Sequence, residues 1–353
     1  MELHFCLLAA VLVLFFLSVD KNKHDELTFL AGLLFFLLAF LLIAFRNETV
    51  GNDTIKYVNY FQRFSWSDDP WDFIIKYRYE PGYTLLNFAI SKLSDNYTSL
   101  LSVCAAINII CTIYFYRATC TNKYSWCLLW FITGAYYWNM SAIRASLAIS
   151  FICIFAVNVL RKQKIRSLFW LFLAGMFHYS ALACGIMLAL HSKLLERVMR
   201  NKFILTISFI AIALFLNQIM TYIPDVYSHY YFDSEYAEGS VRIASIIDFI
   251  FSLLFYLLLT WKVPIYWKNQ LEVQFLFLLL VGISFLGLIF NPFNRIERFF
   301  LPFEIICLVN TYKYLPRFRK IGVIVLVVGL AIYQVVTFIV RPEWLQLFPY
   351  SFA

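Results

Sequence analysis

The stretch best furnished for chemistry in this sequence is Glu80-Pro81-Gly82-Tyr83-Thr84-Leu85-Leu86-Asn87. Pro81 suits the first position of a helix, where a missing N–H goes unneeded and φ is already helical. At 100° per residue the helix carries Glu80, Tyr83, Thr84, Asn87 and Ser91 on one face and Leu85, Leu86, Phe88, Ala89, Ile90 and Leu93 on the other. A carboxylate, a phenol and an amide in one polar stripe could line a cavity. The same stripe on an interfacial anchor would only meet water.

Other ionisable residues lie inside apolar runs. Arg144, Asp248 and Glu304 sit roughly 3 to 9 Å into their segments at 1.5 Å per residue, and His178 divides the run from Ser167 to Leu190. Exposing such groups to lipid costs about 2.5 to 3.5 kcal/mol each, so they face a bundle interior or a wet cavity. Each also has a plainer reading. Arg144 could snorkel to the interface beside Tyr136, Tyr137 and Trp138; Asp248 and Glu304 could form an interhelical pair; and His178 could be a core histidine. In Asn291-Pro292-Phe293-Asn294-Arg295-Ile296-Glu297-Arg298 the two arginines are three apart, on one face if helical. Their planar forks suit phosphate oxygens, and Glu297, lipid headgroups or a substrate phosphate could each be the anion they meet.

The chain that positions these groups is 62% hydrophobic, 20% aromatic and 14% charged, with a mean hydropathy of +0.74. That composition places it among polytopic membrane proteins and excludes a hidden soluble domain. The net charge of +8 resides in short loops between spans, so it reads as an orientation signal and not as a nucleic-acid footprint. Apolar runs at 3–19, 27–45, 99–116, 125–140, 142–160, 203–222, 243–260, 273–290, 299–312 and 321–340 give about ten transmembrane helices in an all-α protein. The first reads as an uncleaved span, because its flank is acidic and no small-residue cleavage site follows.

Loop charge decides how to treat residues 167–190. If they form a re-entrant helix pair, the loops at 20–26, 117–124, 161–166, 191–202, 261–272 and 313–320 share one side and hold most of the Lys and Arg. Reading the run as a full span would scatter those charges to both sides, against the positive-inside rule. The break belongs near Phe177-His178-Tyr179-Ser180. The large 46–98 loop and the acidic 223–242 loop then face outward within a single integral domain of 353 residues. The aromatic content of 46–98 argues that it folds on the membrane or over a cavity instead of serving as a tether. The eight cysteines show neither metal spacing nor a disulfide framework and read as small buried hydrophobes. No phosphate-cradling glycine loop or internal repeat is present.

Taken in order, Gly51-Asn52-Asp53-Thr54 with Tyr57 and Phe61, Glu80-Pro81-Gly82-Tyr83 with Leu86-Asn87, Asn139 to Ala145, and His178-Tyr179-Ser180-Ala181-Leu182 resemble the EpsG/Wzy family of polysaccharide polymerases. Arg295 and Arg298 before the last spans fit the same pattern, and the resemblance covers nearly the whole chain. It implies a multi-pass glycosyltransferase of the bacterial inner membrane, similar to the lipid-dependent C-type glycosyltransferases. Such an enzyme would polymerise undecaprenyl-pyrophosphate-linked repeat units into O-antigen, capsule or exopolysaccharide at the periplasmic face. The implied roles are a base drawn from Glu80, Asp53 or His178, with Glu80 preferred, and pyrophosphate stabilisation by Arg144, Arg295 and Arg298. Asn52, Tyr83, Asn87 and Asn139 would bind sugar hydroxyls. No cofactor and no metal are expected. Partners would be lipid-linked glycans, membrane lipids and a chain-length regulator, with no nucleic acid. Competing readings are an O-antigen ligase, which uses the same donor; a glycolipid flippase or exporter, which would place ionisable groups at several depths; a noncatalytic envelope scaffold; and an integral acyltransferase.

Overall fold

A computed structural model describes residues 2–19, 25–66, 69–77, 79–121, 124–190, 192–215, 218, 242–260, 270–340 and 342–353. The regular elements among the described residues are helical, as expected where a segment in hydrocarbon must satisfy its own backbone groups. Six helices there are long and apolar enough to cross a bilayer: Glu26–Ala44, Tyr97–Thr119, Ile143–Leu160, Ile243–Thr260, Glu272–Ile289 and Arg317–Thr337. The chain gathers into two compact units, Met1–Gly185 with Val327–Ala353, and Ile186–Leu326. Composition does not mark that division, because both units are built from the same kind of apolar helix.

In the first unit α1 (Glu2–Val19) packs on α2 (Asp25–Ala44), and α2 on α6 (Tyr97–Thr119). The α6 helix in turn packs on α9 (Ile143–Leu160), and α9 on α10 (Lys164–Phe177). Ser150 Oγ donates to Asn108 Oδ1 at 2.6 Å and Asn108 Nδ2 to Ser146 Oγ at 3.3 Å, a polar clasp of the kind that joins helices where hydrophobicity gives no preference between neighbours. The apolar run at 125–140 is not one span. It breaks into α7 (Ser125–Ile132) and α8 (Trp138–Ser141) at Gly134, whose φ of +76 is foreign to a helix. Hydropathy sees the run but not the turn.

Residues 46–98 fold. They form α3 (Thr54–Gln62), a 3₁₀ turn (Arg63–Trp66), α4 (Pro70–Tyr77) and α5 (Pro81–Ser91). The Tyr60 ring packs within 6.2 Å of the rings of Phe64, Phe73, Tyr77, Tyr79 and Tyr83. In α5 the polar stripe points inward: Tyr83, Thr84 and Asn87 are each 0% exposed, while Leu93 just past its end is 87% exposed.

The 167–190 run breaks at His178, as its sequence suggests. The α10 helix ends at Phe177 and a 3₁₀ helix runs from Tyr179 to Ala189. The chain doubles back there, because Gly175 sits against Leu182 and Gly185 against Leu171. Fourteen residues in α10 rise only about 21 Å, short of the ~30 Å hydrocarbon layer.

The second unit holds α11 (Lys193–Arg200), α12 (Lys202–Leu214), α13 (Ile243–Thr260), α14 (Gln270–Ile289) and α15 (Pro292–Tyr312), with α14 packed against α11, α12, α13 and α15. The 203–222 span is described as far as Phe215, and the acidic 223–242 loop lies outside the described residues except for Arg242. Residues 292–298, between the apolar runs at 273–290 and 299–312, are the first turns of α15, with Pro292 at its N-terminal position. The α16 helix (Arg317–Val340) leads back to the first unit, which closes with residues 342–353.

Candidate active site

Glu80 is the residue before α5, extended at φ −60° and ψ 141°, and its side chain does not cap the helix. The carboxylate is therefore available to partners from elsewhere. Gly82 brings them close, since a Cβ there would lie 2.8 Å from Met176 O and 2.9 Å from the Phe177 ring. Its absence lets the start of α5 rest on the end of α10, and that contact places Glu80 Oε1 3.7 Å from His178 Nδ1.

Arg144, on the first turn of α9, donates from Nη1 to Glu80 Oε2 at 2.5 Å. Two tyrosines of the 46–98 segment hold it. Its guanidinium carbon lies 4.4 Å from the centre of the Tyr79 ring and 5.9 Å from that of Tyr57. Burial pushes the Tyr57 phenol up to about 12 despite the nearby cation, so it is a neutral hydroxyl at physiological pH. Arg144 Nε is buried and without a hydrogen-bond partner. Under α5, Tyr60 shares a 2.8 Å hydrogen bond with Thr84, and burial pushes Tyr60 up to about 12 as well.

The arrangement is an ion pair with a histidine at its edge, largely shielded from solvent: the side chains of Glu80, Arg144 and His178 are 6%, 25% and 21% exposed. A carboxylate can take a proton, and a guanidinium can bind an anion. A family model described as the EpsG family matches residues 29–352. The chain belongs to the EpsG family. No curated protein and no solved structure matches it. Family membership and the apolar helices together mark a multi-pass membrane protein of the polysaccharide polymerase type.

Of the residues singled out from this EpsG-family sequence, Glu80, Arg144 and His178 come together. Asp53 sits apart at the start of α3, paired with Lys56 at 2.8 Å on an exposed face. Asn139 is buried and donates to Tyr136 O at 2.9 Å. Tyr83 and Asn87, expected to contact sugar, are enclosed beneath α5, where Asn87 Nδ2 donates to Tyr83 O at 2.7 Å. Neither reaches a surface that a glycan could touch. The amphipathic pattern puts them on the face with Glu80 but cannot tell a cavity wall from the core behind it. Asn52 Nδ2 donates to Trp344 O at 2.8 Å, and its Oδ1 accepts from Ser141 Oγ.

Arg295 and Arg298 belong to the second unit. Arg298 Nη2 lies 3.5 Å from Asp248 Oδ2, so the anion it meets is a carboxylate of α13 and none of the three its sequence suggested. Glu297 Oε1 accepts from Ser284 at 2.6 Å and from Ser252 at 3.3 Å, and Asn294 Nδ2 donates to Ser245 Oγ at 2.7 Å. Polar residues thus form a seam along α13, α14 and α15. Sequence reasoning missed Tyr57 and Tyr79 as the cradle of Arg144. Tyr79 directly precedes Glu80, and Tyr57 lies one helical turn past Asp53, so the signal was adjacency to residues already chosen.

Proposed function

We propose that this protein is a polysaccharide polymerase that transfers a glycan from an undecaprenyl-pyrophosphate carrier to a hydroxyl of a second lipid-linked repeat unit at the outer face of the bacterial inner membrane. The observation that carries this reading is the Glu80–Arg144 pair with His178 at its edge, in a chain of the EpsG family. The donor's pyrophosphate competes with Glu80 for Arg144, whose side chain is 25% exposed. Glu80, released from the cation, becomes the base for the acceptor hydroxyl. The acceptor oxygen bonds to the anomeric carbon, the bond from that carbon to the phosphate oxygen breaks, and the hydroxyl proton passes to Glu80. The pyrophosphate leaves with its charge met by Arg144. His178, beside Glu80 Oε1, orients the carboxylate. Tyr79, which already stacks on Arg144, offers a ring to the face of a sugar. The doubling back at His178 supports a re-entrant pair that brings this edge of the site up from within the membrane, with residues 46–98 outside.

Deletion of the gene, followed by electrophoresis of surface glycolipids and exported polysaccharide, tests the reading. Collapse of a long ladder to a single repeat unit, restored by the wild-type gene but not by Glu80→Gln, is the expected result. Accumulation of lipid-linked polymer with no transfer to a final acceptor would mark a ligase. An unchanged ladder and unchanged exported polymer would refute the assignment.

A further inference from the structure

The segment from Trp344 to Ala353 has a neutral, unremarkable sequence, yet it lies against the start of the 46–98 segment. Gln346 O accepts from Gly51 N at 2.8 Å, Leu345 O from Asn52 N at 3.0 Å and Ser351 O from Asn47 N at 2.9 Å, while Ala353 N donates to Phe45 O at 2.9 Å. Arg46 and Phe352 form an antiparallel bridge. The Tyr350 hydroxyl donates to Leu42 O at 2.9 Å, and Leu347 is buried at 1% exposure. The segment is a strap held mainly by backbone hydrogen bonds, so its sequence has little reason to advertise it.

The strapped turn is docked on the residues that lead into α9. Arg46, 0% exposed, donates to Ile43 O, and at 3.3 Å to Val50 O and 3.1 Å to Met140 O. The Thr54 hydroxyl lies 2.9 Å from the same Met140 carbonyl. Gly51, at φ +95°, has no room for a Cβ beside that carbonyl. Asn52 joins the two halves through one amide, donating to Trp344 O and accepting from Ser141 Oγ. Three residues after Ser141 comes Arg144, and three residues after Thr54 comes Tyr57, whose ring faces the Arg144 guanidinium. The strap, Asn52 and Ser141 therefore fix the two elements whose meeting sets the direction of the guanidinium.

We infer that Asn52 and Ser141, with the 344–353 strap, are positioning residues that hold Arg144 in register with Glu80. Asn52 acts through the protein and not by touching sugar. The inference rests on the polymerase reading and deepens it. A misplacement near 1 Å in a catalytic group is enough to cost on the order of a hundredfold in rate, so a loosened turn lowers turnover without unmaking the fold.

The test uses the full-length protein in lipid vesicles with a lipid-linked repeat unit as substrate. Ser141→Ala and Asn52→Asp are expected to lower kcat at least tenfold, with KM and the thermal midpoint in detergent close to wild type. Ser141→Thr, which keeps the hydroxyl, is expected to restore kcat to within threefold. Removal of residues 344–353 is expected to abolish polymer. Wild-type kcat in both Ser141→Ala and Asn52→Asp would overturn the inference, as would a rise in KM at constant kcat, which is the signature of a lost sugar contact. A Ser141→Thr variant as impaired as Ser141→Ala would also overturn it. Glu80→Gln separates the two levels of argument. If it abolishes polymer while the Asn52 and Ser141 variants behave as wild type, the positioning role fails and the polymerase reading stands; if Glu80→Gln polymerises normally, the reading itself fails.

Discussion

Replacing Glu80 by Gln keeps its shape and removes its charge. Two effects follow, and the structure separates them. The first is on stability. Breaking a fully buried ion pair by removing one partner costs about 3 to 5 kcal/mol, because the other charge is left uncompensated. The side chain of Arg144 is 25% exposed and lies against the Tyr79 ring, so solvent and the ring's quadrupole reduce this to roughly 2 kcal/mol. That corresponds to a fall of about thirtyfold in the folded-to-unfolded ratio. The second effect is on turnover, where loss of a positioned base costs on the order of 10² to 10⁴ in rate. In the double variant Glu80→Gln with Arg144→Gln no buried charge remains unpaired. It should recover most of the thermal midpoint in detergent and none of the polymer. The measurements are a thermal melt of the purified protein and the glycolipid ladder of cells complemented at matched membrane levels. A double variant as unstable as the single one would show that the pair is not electrostatically coupled as described, and a double variant that polymerises would refute the assignment of Glu80 and Arg144.

Gly82→Ala forces α5 away from Met176 O, which a Cβ would approach to 2.8 Å; a loss of about 1 to 3 kcal/mol in stability and of most polymer is expected, measured by the same melt and ladder. Arg298→Ala leaves Asp248 within a membrane helix without its cation, so membrane-inserted protein should fall, and adding Asp248→Asn should restore it on an immunoblot. Burial raises Tyr57 and Tyr60 from about 10 in an unfolded chain to about 12. Between those pH values the unfolded chain loses protons that the folded one keeps, so this contribution to stability is intact below pH 10 and declines as pH rises toward 12. Melts of wild type and Tyr60→Phe over that range should show the shallower decline in the variant.

The sequence revealed most where a residue type is costly or unusual for its setting. An arginine near the start of an apolar run, a carboxylate before Pro81-Gly82 and a histidine dividing residues 167–190 each called for a partner, and in the structure they partner one another. Loop charge pointed to a break within residues 167–190, and the structure ends α10 at Phe177. Gly134 did not reveal the turn between α7 and α8, because apolar runs tolerate single glycines and the positive φ is a tertiary outcome. Tyr83 and Asn87 could be placed on a face but not at a depth: a polar face on a helix in a membrane protein turns toward protein as readily as toward water. Residues 344–353 were illegible for a different reason. Hydrogen bonds made by backbone groups are open to nearly any side chain, so composition and periodicity leave no trace of them.

The strap also sets an order of events in the cell. Asn52 and the carbonyl of Trp344 are 292 residues apart in sequence. At about 5 to 20 residues per second of synthesis, the turn at residues 46–54 waits roughly 15 to 60 s between emerging and receiving its last hydrogen bonds. Over that interval Gly51 and Asn52 lack the carbonyls of Gln346, Leu345 and Trp344, although the ribosome has already delivered Glu80, Arg144 and His178. Assembly of the turn is thus a late step of biogenesis. A chain interrupted before residue 344 would carry every ionisable group of the site and still lack the strap that braces the turn beneath them.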